Sequence, residues 1–413
     1  MRKRTHKIEY NPGRDDRVRL FYSCAIFLSM LLFSTAACSD ELDGLPSDHV
    51  KKPRCGISHT FSTGFDKDDN LYSLESGGMG DTIKSFGYKG FVECDTNESD
   101  TFTAEFSYEE NSFRENSIED YREFGLELDY RKIFSAEEWL EIEYGFGLTK
   151  SDRDAYIALP GQEKKFEFTY GGKLSEKHTG EVFIFRKSET YESGELDFNE
   201  ENNSYAKGYG ARVIYDLGGF SSVEVSYTTE RVEYHNSYRL DEDGNSTNTP
   251  RRDRNTTFAV SVTKVYSLYP LSLLMVSSEK SDNESTSNQY YDWYERNGSD
   301  FDYMYKITEG FDDYDDFNWS VYYLRGLSSR ATGFLYYMRS ETGYPRQYID
   351  SGDVVMPGTG LEMEMDYAMV GIEYLLNENA KLDISSSRIK NDSNLEYYEY
   401  TKRINSVGLS YRF

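Results

Sequence analysis

Residues 404–413 read Ile-Asn-Ser-Val-Gly-Leu-Ser-Tyr-Arg-Phe, with Val407, Leu409, Tyr411 and Phe413 at every second position and Ser406, Gly408, Ser410 and Arg412 between them. Successive side chains of a β-strand point to opposite faces, so this segment has one apolar and one wet face. The period recurs along the chain. Phe102, Ala104, Phe106 and Tyr108 oppose Thr103, Glu105 and Ser107, and Phe124, Leu126, Leu128 and Tyr130 oppose Glu123, Glu127, Asp129 and Arg131. Leu140 to Leu148, Phe166 to Tyr170, Val223 to Tyr227 and Phe317 to Tyr323 alternate in the same way. Val182 to Arg186 and Leu271 to Val276 are less clean, and the pattern leaves their register open.

Short polar breaks separate the alternating segments at Cys94–Asp100, Ser135–Glu138, Leu174–His178, Leu217–Phe220, Ser267–Pro270, Leu327–Arg330 and Asn377–Ala380. Between each pair of breaks lie two strands and one longer, hydrophilic loop. Seven short turns join fourteen strands, and an opening and a closing strand bring the expected number to about sixteen. A soluble sandwich also alternates, but a chain of this length would normally divide into domains. No linker follows residue 55, and a single closed barrel leaves no strand edge bare.

The last ten residues resemble the closing strand of Gram-negative outer-membrane β-barrels, whose terminal Phe and alternate apolar side chains (here Val407, Leu409, Tyr411 and Phe413) are read by the barrel-assembly machinery. The resemblance implies an all-β, transmembrane, antiparallel up-and-down β-barrel over residues 55–413 of the porin-like kind. The resemblance also implies a place in the outer membrane after export through the inner one, with lipid and lipopolysaccharide around the barrel. A mean hydropathy of −0.73 with 29% charged residues rules out a bundle of membrane helices but not a barrel, whose strands need only half their residues apolar. The 37 Tyr and 25 Phe suit aromatic girdles.

The N-terminus supplies an export address. Basic residues from Arg2 to Arg19 precede an apolar run, Phe21 to Phe33, too short to span a bilayer but suited to a signal-peptide core. Residues 1–37 are therefore expected to be a signal peptide, with cleavage after Ala36 or Ala37, or with lipidation at Cys38. Thr35 departs from the aliphatic residue that a lipobox normally carries there. Residues 38–54 are expected to form a short periplasmic lead-in. Cys55 and Cys94, at the start of the first strand and the end of the second, are a candidate disulfide in an oxidising compartment; two free thiols are the alternative.

The net charge of −27 becomes about −31 without residues 1–37, which makes nucleic acid an unsuitable partner. With apolar side chains toward lipid, the lumen receives Glu105, Glu123, Glu127, Asp129, Glu141, Glu143, Glu167, Glu224 and Glu230, against few cations such as Arg131 and Arg212. Acidic pore walls favour cations. The expected function is a passive, cation-preferring channel linked to solute or polysaccharide transport. The rival is a closed-lumen surface or adhesion barrel whose acidic aromatic loops bind glycans or proteins.

The longest outer loop is expected from Glu279 to Asp316, rich in Tyr, Trp and Asp, with another from Leu240 to Asp253; either is a candidate to fold inward. The third outer loop, Ser151 to Gln162, looks too short to constrict the pore. No Ca²⁺-loop spacing, zinc spacing, P-loop or dinucleotide motif is present, so neither metal nor cofactor is expected. His59, His178 and His235 are the histidines of the barrel region. Only His235, near Asp241 and Asp243, could form a dyad, and no enzymatic activity is expected.

Overall fold

The computed structural model describes residues 54–413 apart from residues 72, 74–79, 96–98, 152–159, 192–202, 241–245, 269, 298–299, 310–311, 351–354 and 396–397. The signal-peptide reading of residues 1–37, Cys38 and residues 39–53 lie outside the described residues. The chain divides into two units, Met1–Cys55 and Gly56–Phe413, and the second holds all but the first two residues of the barrel.

Seven tight turns lie at one rim. They join β2 (Asp81–Asp95) to β3 (Asp100–Phe113), β4 (Tyr121–Ser135) to β5 (Glu138–Ser151), β6 (Gly161–Ser175) to β7 (His178–Tyr191) and β8 (Ser204–Gly218) to β9 (Ser221–Leu240). They likewise join β10 (Ser246–Leu268) to β11 (Leu271–Ser285), β14 (Tyr314–Gly326) to β15 (Ala331–Asp350) and β16 (Val355–Leu375) to β17 (Ala380–Ser393). With β1 (Arg54–Asp68) and β18 (Tyr400–Arg412) these strands form one closed antiparallel barrel of sixteen, each bonded to its neighbour in sequence, with β1 sealing against β18. The remaining pair, β12 (Asn288–Asn297) and β13 (Asp300–Glu309), forms a separate two-stranded sheet between β11 and β14.

The turns leave two or four residues between strands. Gly218 and Gly219 take φ of +80° and +61°, the left-handed region where a glycine carries no Cβ penalty, and Phe220 follows at 60°. At the seam the register runs from Thr60 opposite Arg412 to Asp68 opposite Ile404. The main chains of His59 and Phe413 exchange two N–H···O bonds of 3.0 Å. The Phe413 ring stacks on His59 and Phe61 at centroid distances of 5.5 and 5.6 Å. Val407, Leu409, Tyr411 and Phe413 are all exposed on the outer wall.

The distribution of apolar side chains is inverted relative to a soluble protein. Among the described residues only Leu71, Phe113, Ala206, Val232 and Leu361 are buried apolar side chains, whereas Tyr209 and Ile184 are each 59% exposed and Phe258 50%. The exposed residues fall into cross-strand rows on the outer face, such as Val182–Ala211–Tyr227–Phe258 across β7 to β10. A continuous belt of this kind has hydrocarbon as its solvent. No helix among the described residues is long and apolar enough to cross a membrane, which leaves crossing by strands untouched.

Two expected loops prove shorter. Glu279–Ser285 and Tyr314–Asp316 continue barrel strands, and β10 begins at Ser246 rather than after Asp253. Strands that project beyond the hydrocarbon have water on both faces, so they lose the alternation by which a strand is recognised. Cys55, the second residue of β1, and Cys94, the last but one of β2, are each disulfide-bonded. Non-reducing peptide mapping is expected to recover these two joined, and removing the link by Cys55→Ser and Cys94→Ser is expected to cost about 3–4 kcal/mol. Free thiols at both positions in the exported protein would refute this.

Candidate functional site

The site is the lumen together with its outer mouth. Strand register fixes which side chains enter it. Phe102, Ala104, Phe106 and Tyr108 of β3 pair with Tyr130, Leu128, Leu126 and Phe124 of β4 on the lipid side, so Glu105 and Glu127 meet on the other. The same inward face carries Glu123 opposite Glu109, Asp129 opposite Glu143, Arg131 opposite Glu141, and Glu143 opposite Glu167. Further round, Arg212 faces Glu181, and Glu224 and Glu230 face Ser261 and Asn255. All eleven lumen candidates therefore stand on the inner side of β3 to β9.

The expectation of few cations needs correction. Lys89, Lys165 and Lys187 share that inner face and reach the carboxylates. Lys89 pairs with Glu105. Lys165 lies 3.0 Å from Glu167 and 3.7 Å from Glu143, and Lys187 2.6 Å from Glu189 and 3.4 Å from Glu163. Arg212 donates from Nε to Glu181 at 2.6 Å and approaches Glu224 at 3.7 Å. The signal that would have found the lysines is the period of two itself, since Lys165 alternates with Phe166 and Phe168 as Glu167 does.

What remains in excess is negative. Glu123, Glu127 and Glu141 have no ion pair among the described residues. Asp129 accepts a hydrogen bond from Thr103 Oγ1 at 2.9 Å, and Glu230 one from Asn255 Nδ2 at 2.9 Å; neither donor is charged. The Arg131 guanidinium lies 5.1 Å from the Trp139 ring centroid, over its face. On this wall Ser107, Gly125 and Gly147 line a recess of about 490 Å³ flanked by Glu109 and Glu123. The opposite wall is different in kind: Tyr322, Phe334, Tyr336, Met338, Tyr367 and Met369 of β14 to β16 face inward, with Tyr336 and Tyr367 edge to face at 5.6 Å.

At the mouth, Arg251 of β10 is the hub. Its guanidinium donates to Asp253 at 3.1 and 2.5 Å, reaches Asp312 at 2.8 Å, and lies 4.3 Å from the Tyr234 ring centroid. The Asp253 side chain is 3% exposed and also accepts from Ser285 Oγ. Asn283 Nδ2 donates to the Asp312 carbonyl at 2.7 Å, and Ser287 Oγ accepts from the Asp312 N–H at 2.9 Å. The base of the segment carrying β12 and β13 is thus tied to the barrel wall. Burial, with the charges of Asp253 and Asp312, pushes the Tyr234 hydroxyl up to about 12 against the opposing pull of Arg251, so its ring stays neutral under the guanidinium.

A second clasp closes the loop between β3 and β4. Asp81, beyond the apolar belt at the loop end of β2, accepts from the N–H groups of Thr82, Arg114, Glu115 and Asn116 and from Asn116 Nδ2, at 2.6 to 3.2 Å. Burial raises its carboxyl pKa, but the Asn116 side chain and the backbone donors outweigh burial and hold it below the usual value. The group is depressed in the folded state, so its stabilisation is present above the unfolded carboxyl pKa of about 3.9 and is lost as pH falls through the lower folded one. Asp81→Ala is expected to cost about 3 kcal/mol at pH 7 and to flatten the acid end of a thermal-stability profile. An unchanged profile would mean that the clasp contributes nothing.

The histidines do not assemble a catalytic group among the described residues. His59 accepts from or donates to the Tyr88 hydroxyl at 2.8 Å through Nδ1, and His178 contacts Ser175 Oγ at 2.7 Å beside a turn. His235 lies on β9, and Asp241 and Asp243 fall outside the described residues. No group of three or more metal-ligating side chains gathers among the described residues.

No protein-family model matches the chain, and no characterised protein matches it in sequence. Solved structures do. A loop-deletion mutant of OmpT, an outer-membrane protein of Vibrio cholerae, aligns with 88% of this chain and 100% of its own at 11% identity and a TM-score of 0.46. OccAB1 of Acinetobacter baumannii aligns with 87% and 96% at 10% identity and a TM-score of 0.47. OmpF of Salmonella typhi, solved with daunomycin, aligns with 86% and 97% at 14% identity and a TM-score of 0.43. The chain's own strand order, sealed seam and lipid-facing apolar belt carry the conclusion: it is built as an outer-membrane β-barrel of sixteen strands.

Proposed function

We propose that the protein is a porin-like passive channel of the outer membrane that prefers cations, rather than an enzyme. The supporting observation is the imbalance on the inner wall, where Glu123, Glu127, Asp129, Glu141 and Glu230 make no ion pair among the described residues while Lys165, Lys187 and Arg212 are already engaged. A barrel of sixteen strands is wide enough for an aqueous bore, and carboxylates along it raise the local concentration of cations. No cofactor enters the mechanism: solute moves down its gradient, and selectivity is electrostatic.

The test is single-channel recording of the folded protein in planar bilayers under a salt gradient. Stable conductance steps with a reversal potential on the cation side support the proposal. A heat-modifiable barrel that never conducts would overturn it. Silence would favour the second reading, for which the Arg251 and Asp81 clasps speak: a mouth held shut, with the outer segments as a surface for glycans or proteins.

A further inference from the structure

The outer wall carries a row of cations that the channel reading does not use. Arg186 of β7 pairs in register with Lys207 of β8, Lys207 with Arg231 of β9, and Arg231 with Arg254 of β10. Four positive side chains therefore stand side by side on four consecutive strands. All four are exposed. They lie on the lipid side, because the next row toward the short turns is Ile184–Tyr209–Thr229–Thr256 and the one after it Val182–Ala211–Tyr227–Phe258.

Like charges directly opposite each other on neighbouring strands repel, so this row works against the sheet unless something anionic covers it. The protein does not cover it. None of the four is in an ion pair among the described residues. Arg186 instead lies 4.9 Å from the Tyr205 ring centroid. Glu284 stands across from Arg254 without reaching it, and Glu233, one row further out, is engaged by Arg252 at 3.2 Å. In a chain of net charge −27 the bare cations are the exception. At a strand spacing of about 4.8 Å the row is about 14 Å long, and it sits where the apolar belt ends on the side of the long loops, at the depth of the outer-leaflet headgroups. Guanidinium groups bind phosphate in bidentate fashion, and bilayer-edge cations attract anionic headgroups.

We propose that Arg186, Lys207, Arg231 and Arg254 form a binding row for the phosphorylated headgroup of an outer-leaflet glycolipid. The proposal rests on the outer-membrane reading and deepens it from immersion in lipid to recognition of one headgroup chemistry. The row offers two or more phosphates of one headgroup simultaneous contact, which a zwitterionic phospholipid cannot match. Arg388 and Arg403, opposed in the same way on the outer face of β17 and β18, repeat the motif on a smaller scale.

The test uses the full chain folded in detergent. Retention of a diphosphorylated glucosamine lipid, of its dephosphorylated counterpart and of inorganic phosphate is compared by native mass spectrometry. The wild-type protein is expected to keep the diphosphorylated lipid at least tenfold better than the other two. The Gln quadruple variant (R186Q, K207Q, R231Q, R254Q) is expected to lose that preference, and a variant with lysine at the three arginines to keep most of it. If the quadruple variant does not fold, Lys207→Gln with Arg231→Gln decides. Equal retention of both lipids by the wild-type protein, or undiminished preference in the Gln variants, overturns the proposal. Flotation with phosphatidylcholine vesicles separates the two levels. Failure to insert there sinks the outer-membrane reading, whereas an inserted barrel without glycolipid preference sinks only the row.

Discussion

Replacing Glu127, Asp129 and Glu141 together by lysine is expected to turn the bore from cation-preferring to anion-preferring, a swing in permeability ratio on the order of tenfold. The three lie on β4 and β5 with neighbours that amplify them, Glu127 opposite Glu105 and Asp129 opposite Glu143. None of the three has a cation within ion-pair reach among the described residues, so each substitution changes the field rather than rearranging a bridge. Lys165→Gln is expected to act in the opposite direction, because it frees Glu143 and Glu167 and strengthens cation preference. Both effects should be read in about 0.1 M salt and should shrink at 1 M, where the screening length falls from about 10 to about 3 Å. Reversal potentials that ignore all four side chains would mean that these carboxylates are solvated wall and no more.

Arg251→Ala is expected to have the largest effect on the mouth. It strands Asp253, almost wholly buried, and removes the partner of Asp312, and breaking a buried pair from one side costs about 3–5 kcal/mol. The loss should fall locally, as faster proteolysis between residues 286 and 313 and a larger, noisier conductance, with the heat-modifiable barrel intact. Arg251→Lys should recover only part of the effect, since an ammonium cannot hold Asp253 through two parallel bonds while lying flat on Tyr234. Proteolysis and conductance both at the wild-type level would show that the segment's position does not depend on this hub.

Much of the architecture is legible in the sequence because two local rules agree. The seven turns expected from short polar breaks fall within about two residues of those observed, and the alternation between them assigns the inner and outer faces of β3 to β6 without ambiguity. The failures have particular causes. Val182 to Arg186 resists assignment because Phe183 and Phe185 point into the lumen, where their rings occupy the space left by Gly210 and Gly208 across the strand pair. Inward aromatics over glycine make both faces read as apolar. Leu271 to Val276 is blurred in the same way by Leu273 and Met275, which face inward between Leu274 and Val276. The lumen lysines are legible by the same rule, since Lys165 falls in phase with Glu167 and out of phase with Phe166 and Phe168, whereas its neighbour Lys164 falls on the lipid side. The Arg251 hub is beyond sequence reach: its partners, from Tyr234 to Asp312, meet only once β9, β10 and β11 are aligned.

The two unlike halves of the bore also bear on the orientation of what crosses it. Carboxylates predominate on the inner face of β3 to β6, and Tyr, Phe and Met on that of β14 to β16, so a lateral dipole and a lateral gradient of polarity coincide. A small spherical ion experiences mainly the average. If solutes cross it as proposed, an elongated molecule with an ammonium at one end and a ring at the other is expected to turn across the axis, charged end to one wall and flat face to the other. On the channel reading proposed above, the bore is expected to be a steric and rotational filter for such molecules as well as an electrical one, sorting solutes of equal charge and mass by the arrangement of their parts.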